Sequence, residues 1–169
     1  MNHDIETDAV LDAERLEELG HYDLYSDEVR ERLSEIAKEG AVRFDLPIGL
    51  VSIVLDTAQY FPGLHGLSGW LAESEGTPVE WSFCANAVRR RDTYVVTNAS
   101  TDELQQANPL VTEDGVRSYA GAPLMTQNGF VLGAYCVIGT EPRDFSEDEL
   151  DALRELADEV MDELEAHRV

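Results

Sequence analysis

The sequence contains a single lysine, Lys38, only two cysteines, Cys84 and Cys136, and no apolar run long enough to span a bilayer. The opening residues, MNHDIETDAV, carry neither the basic flank nor the apolar core of a leader peptide, so the chain is expected to be soluble and cytoplasmic. The two cysteines lie in apolar settings and read as reduced, buried thiols rather than a disulfide framework. The four histidines, His3, His21, His65 and His167, are scattered, and none has a ligand partner at helix or loop spacing. His65 falls in a loop near Trp70 and reads as solvent-facing. There is no nucleophile elbow, phosphate loop or carboxylate pair in a defined context. No catalytic residue, metal or cofactor is therefore assigned.

What is abundant is acid: 35 aspartates and glutamates stand against 12 basic residues, for a net charge of −23. Such a field repels phosphates and anionic lipid, which argues against nucleic acid and membrane partners. With 43% hydrophobic residues the chain is nonetheless a folding one. A surface this acidic and poor in lysine suits a halophilic protein, where salt screens the self-repulsion, and equally an ordinary acidic one. The 169 residues suffice for one domain with a real core.

The central stretch runs from Asn108 to Ile138. Two apolar runs, Ser118–Met125 and Phe130–Ile138, flank Asn128-Gly129, a pair that tolerates the positive φ angles of a two-residue hairpin turn. Such a turn places Met125 opposite Leu132, Gly121 opposite Cys136 and Ala122 opposite Tyr135. One ribbon face then carries Tyr119, Gly121, Pro123, Met125, Leu132, Ala134 and Cys136. The other carries Ala120, Ala122, Leu124, Val131, Gly133, Tyr135 and Val137. Both faces are apolar, so the ribbon belongs inside a sheet covered on both sides.

Around it, residues 1–12 read as a flexible acidic tail and residues 13–169 as one domain. Ala13–Leu19 predicts a short helix ending at Gly20. Ser26 caps a longer one, with an apolar stripe of Val29, Leu33, Ile36 and Ala37. Ile48–Leu55 is a buried strand. Gln59–Leu64, broken by Pro62-Gly63, suits a sheet edge. Thr77, Pro78 and Glu80 have the pattern of a helix start, with a helix expected through Arg91. Tyr94–Thr97 predicts a strand, and Asp102–Ala107 a short helix broken at Asn108-Pro109. Ser146 with Glu149 and Phe145 with Leu150 open a last helix striped by Leu150, Leu153, Leu156, Ala157, Val160 and Leu164. The fold class is α+β, with an antiparallel sheet.

ERLEEL (14–19), DLPIGLVSIVLD (45–56), SFCANAV (82–88), NPLV (108–111), SYAGAPL (118–124) and LGAYCVIG (132–139), in this order of elements, resemble a GAF domain. The likeness is to modules that precede histidine kinases and diguanylate cyclases, and it runs from Glu14 to Val160. It implies a central antiparallel sheet with the terminal helices on one face. A small-molecule pocket would lie on the other, roofed by the Thr77–Arg91 helix and the segments around Asn98 and Asn108–Tyr119. It also implies a homodimer through the terminal helices. Two features depart from the family: Tyr60-Phe61 is followed by Pro62-Gly63 where a basic residue is usual, and Ala85 follows Cys84 where bilin-binding members have histidine.

The candidate pocket residues are Tyr60, Trp81, Ser82, Cys84, Asn98, Asn108, Arg117, Tyr119, Gly121 and Cys136. An apolar cavity needs a few convergent polar groups, and Asn98, Asn108, Arg117 and Tyr119 would supply them. The simpler readings are that the asparagines cap turns, that Arg117 pairs with a surface acid, and that both cysteines are core thiols. Arg89-Arg90-Arg91 reads as neutralising a helix end. The expected function is a non-catalytic sensor of an unknown small molecule. It would act on a separate signalling partner, since no kinase or cyclase sequence follows Val169. Alternatives are a thiol-dependent reductase of the free methionine sulfoxide type, which needs an attacking and a resolving cysteine, and a purely structural dimerisation module.

Overall fold

The computed structural model describes residues 8–169. Ile48–Val54 (β1), Ala58–His65 (β2), Gly76–Pro78 (β3), Tyr94–Val96 (β4), Ser118–Met125 (β5) and Val131–Gly139 (β6) form one sheet in the order β3-β2-β1-β6-β5-β4. Every neighbouring pair is antiparallel. Ala13–Leu19 (α1), Asp27–Arg43 (α2) and Glu147–Ala166 (α6) serve one face. Gly69–Ser74 (α3), Cys84–Arg90 (α4) and Pro109–Thr112 (α5) cover the other. The α+β class and the two-sided burial expected of the hairpin are both present, and all nine residues of β6 are buried.

The helix face follows from sequence signals that act locally. The Ser26 Oγ accepts from Val29 N at 3.4 Å, and Val29, Leu33, Ile36 and Ala37 are buried below it. At α6 the Ser146–Glu149 capping box closes in both directions. The stripe Leu153, Leu156, Ala157, Val160 and Leu164 packs on the sheet. It is spent there, so a dimer through these helices would use their outer faces. One hydrogen-bond arrangement locks helix to sheet. The Tyr135 hydroxyl donates to Ile36 O at 2.7 Å and accepts from Gly40 N at 3.0 Å, bridging one turn of α2. Gly40 permits it, because an added methyl would overlap that hydroxyl.

Several expectations are corrected. The hairpin turn is one residue longer than Asn128-Gly129 implied. Gly129 N donates to Thr126 O at 3.0 Å and Thr126 N to Phe130 O at 2.8 Å, so Gln127, Asn128 and Gly129 form the loop. Gly129 alone takes the positive φ, 90°. Met125 therefore faces Val131, not Leu132, and the extra residue is absorbed between Leu124 and Met125. Beyond it the expected register returns: Ala122 faces Tyr135 and Gly121 faces Cys136. The bulge also exchanges two side chains, sending Leu132 to the helix core and Val131 to the cover.

The helix expected from Thr77 starts only at Cys84. Thr77 lies on β3 opposite Gln59, and its hydroxyl donates to Pro78 O at 2.9 Å, so it is not free to cap. A 3-10 turn, Val79–Trp81, intervenes, and Ser82 Oγ accepts from Ala85 N at 3.0 Å instead. With β3 outside it, β2 is not an edge strand; the pairing slips between Val51 and Ile53, beside Pro62. His65 closes β2 rather than lying in a loop. Asp102–Ala107 is a set of turns, and regular helix follows Asn108 rather than preceding it.

Part of the stretch expected as a flexible tail, residues 1–12, is ordered against the domain. Ala9–Leu11 form a 3-10 turn with Val10 buried. Arg15, 2% exposed, holds it by donating to Ala9 O and Val10 O, and reaches Val131 O at the hairpin. Residues 1–7 of that stretch lie outside the described residues.

Candidate functional site

A cavity of about 60 Å³ lies between the sheet and its cover. Its floor is Ile48, Leu50, Phe61, Tyr119 and Cys136 from the strands; Phe83, Cys84, Leu110 and Val116 close it from above. Alternation along β2 sends Gln59 and Phe61 to this face and Tyr60 to the other.

The polar groups at its edge are already engaged. Gln59, 4% exposed, accepts at Oε1 from Ser52 Oγ at 2.9 Å and Ser82 Oγ at 2.7 Å. Its Nε2 donates to Thr77 Oγ1 at 2.7 Å. This one side chain ties β1, β3 and the entry to α4 together. In the cover, Asn108 caps α5 through Leu110 N at 3.0 Å, and its Nδ2 donates to Trp81 O at 3.1 Å. Trp81 meets Trp70 edge-on at 5.7 Å, and Trp70 Nε1 donates to Asp114 at 3.1 Å.

Deeper in, the Tyr119 hydroxyl donates to Cys84 Sγ at 3.0 Å, and the Cys84 and Cys136 sulfurs are 3.8 Å apart. The Tyr119 ring packs against Phe83 at 5.1 Å and Tyr94 at 5.7 Å. Gly121 leaves room for the Tyr119 hydroxyl, which any Cβ there would strike. Burial pushes Cys136 well above its ordinary value, and the adjoining sulfur adds to it. At Cys84 burial acts the same way, but hydrogen bonding, led by Cys136 and then Tyr119, brings that thiol below its ordinary value.

Of the ten candidates, Cys84, Tyr119 and Cys136 line the cavity. Trp81, Ser82, Asn108 and Gly121 support its walls without lining it. Three lie elsewhere. Tyr60 is on the helix face, stacked on Tyr25 at 5.0 Å and donating to Leu24 O. Asn98 accepts from Ser100 N and Oγ in a surface turn. Arg117 donates to Val111 O and Val116 O, both at 2.9 Å, so it braces a loop rather than pairing with an acid. Arg89, from the cluster at the end of α4, pairs with Asp8 at 3.1 Å. Gln59 and Thr77 were missed; a lone glutamine inside an otherwise apolar strand was the available signal. Among the described residues no group of three or more His, Cys, Asp or Glu is placed to hold a metal ion, and no helix is long and apolar enough to cross a membrane.

A type II free methionine-R-sulfoxide reductase from Thermoplasma acidophilum superposes with a TM-score of 0.68 at 14% identity, covering 87% of this chain and 99% of that one. The GAF domain of an Acinetobacter phosphoenolpyruvate-protein phosphotransferase gives 0.66 at 18% identity, over 98% and 95%. At such identities the likeness is one of fold. A cyclic di-GMP phosphodiesterase of Pseudomonas aeruginosa is 38% identical over 129 residues, 76% of this chain but 21% of that protein. The chain thus spans about a fifth of that relative's length. The family model described as GAF domain matches residues 28–164, all of the sheet and nearly all of both long helices. The chain belongs to the GAF domain family.

Proposed function

We propose that this chain is a non-catalytic sensor module of a signalling protein, taking a small, mostly apolar guest between the sheet and its cover. The observation that carries this reading is the position and chemistry of the cavity: it lies opposite the long helices, and nearly all of its lining is apolar. At about 60 Å³ it falls short of the roughly 300–1,000 Å³ usual for a ligand site, so the cover must move to admit anything larger than a few atoms. The cover suits that role. It consists of helices of six, seven and four residues, with half-buried Leu67 and Leu71 as its inner surface. Occupancy would shift the sheet against α2 and α6, whose outer faces remain for a second copy or a signalling partner. The name of the P. aeruginosa relative suggests cyclic di-GMP turnover as one output such a module regulates.

The test is a thermal-shift screen against small apolar metabolites, repeated with Val116→Phe to fill the cavity. A rise in melting temperature that disappears in the filled variant is expected. Shifts from no compound, or shifts indifferent to the filling, would reject a guest in this cavity.

The reductase reading has one observation in its favour, the 3.8 Å separation of the two sulfurs. Against it, the cavity has no room for methionine sulfoxide as it stands, and no basic side chain lines it. Loss of sulfoxide reduction in Cys84→Ser would decide for the enzyme.

A further inference from the structure

We infer that Cys84 and Cys136 form a dithiol site that a small peroxide oxidises to an intramolecular disulfide, clamping α4 onto the centre of the sheet. Three observations meet at this place. The sulfurs are 3.8 Å apart, so side-chain rotation has roughly 1.8 Å to close before reaching the ~2.05 Å of a bond. Both cysteines line the cavity, whose volume of about 60 Å³ admits only a few water-sized molecules. Hydrogen peroxide, with two oxygens, is of that size, whereas glutathione or a protein thiol is far too large to enter. Finally, the Tyr119 hydroxyl donates to Cys84 Sγ at 3.0 Å, so one of the two sulfurs is prepared to carry negative charge.

The chemistry then proceeds in two displacements. The Cys84 thiolate attacks one peroxide oxygen; the O–O bond breaks, and the departing hydroxide takes up a proton to become water. Cys84 is left as a sulfenic acid. The Cys136 sulfur attacks that sulfur, the S–S bond forms, and the sulfenic oxygen leaves with the Cys136 proton as a second water. The two thiols have together lost two electrons and two protons, and peroxide has gained both. The bond joins residues 52 apart in sequence, one at the start of α4 and one in mid-β6. It would fasten the otherwise lightly built cover to the most buried strand. The site stands independently of the guest proposed above: one is read by covalent mass, the other by a reversible thermal shift.

The experiment treats the folded protein with millimolar hydrogen peroxide, quenches it, and counts free thiols after denaturation. Expected are the joint loss of both thiols, a monomer lighter by two hydrogens, and a cross-linked peptide pair containing Cys84 and Cys136. A dithiol reductant should restore both thiols once the oxidised protein has been denatured. Oxidised protein should melt higher than reduced protein. Cys136→Ser should stop at a dimedone-reactive Cys84, and Tyr119→Phe, a milder change, should slow disulfide formation roughly tenfold. Thiols that stay free until the protein unfolds would overturn the site, as would an intermolecular dimer or over-oxidation of one cysteine with the other untouched.

Discussion

The two faces of the sheet are built to different standards. On the helix face, α2 and α6 run for 17 and 20 residues, and Leu33, Ile36, Ile53, Leu124, Leu153, Leu156 and Leu164 are fully enclosed. On the cover face the longest helix has seven residues, Trp70 is 42% exposed, and a cavity remains. Each face holds one wholly buried tyrosine. Tyr135 is satisfied by two backbone groups of a long helix, whereas Tyr119 donates only to a sulfur, a weak acceptor. The difference teaches where this fold can yield. Interiors packed at crystal density resist small displacements, and a cover of short segments around a void does not.

The contrast can be broken by mutation. Leu156→Ala, on the helix face, is expected to cost about 2–5 kcal/mol in chemical denaturation, while Leu71→Ala in the half-buried cover should cost about 1 kcal/mol. Equal losses would mean that the cover is as firmly packed as the helices. A finer comparison sets the two tyrosines against each other. Tyr135→Phe leaves the Gly40 N–H and Ile36 carbonyl without the bridging hydroxyl and should lose about 1–3 kcal/mol; Tyr119→Phe gives up a single bond to sulfur and should lose under about 1 kcal/mol. The smallest effect concerns the cap of α6. A hydrogen bond from Arg143, reinforced by Ser146 N, holds the Glu149 carboxyl below its ordinary value. A carboxylate depressed in the folded state stabilises fully above its unfolded value and less as pH falls through the folded one. Denaturation followed from neutral pH into the acid range should therefore lose a fraction of a kcal/mol more in the wild type than in Glu149→Gln.

The helix face was largely legible because its signals are local. Ser26 with its apolar stripe, and Ser146 with Glu149, each specify a helix within a few residues, and tertiary packing reinforces them. The hairpin was legible to within one residue. A loop of Gln127-Asn128-Gly129 and a loop of Asn128-Gly129 differ by one residue and by which residues accept positive φ, and the extra residue is taken up in the strand pairing beyond the turn. The cover was misread for a related reason. Thr77-Pro78 carries a sound helix-start pattern, yet Gln59 recruits Thr77 to β3, a contact across 18 residues that no local window contains. The choice of Tyr60 over Gln59 turned on the same kind of information: the two are consecutive, and only the pleat tells which of them meets the cavity.

That pleat has a mechanical consequence at Tyr135 and Cys136. Consecutive on β6, one reaches through its hydroxyl into the second turn from the end of α2, and the other presents its sulfur to the void. A push on the Cys136 backbone therefore needs no relay through loops or intervening side chains to be felt at the long helix. The peptide bond between the two residues is itself the lever arm.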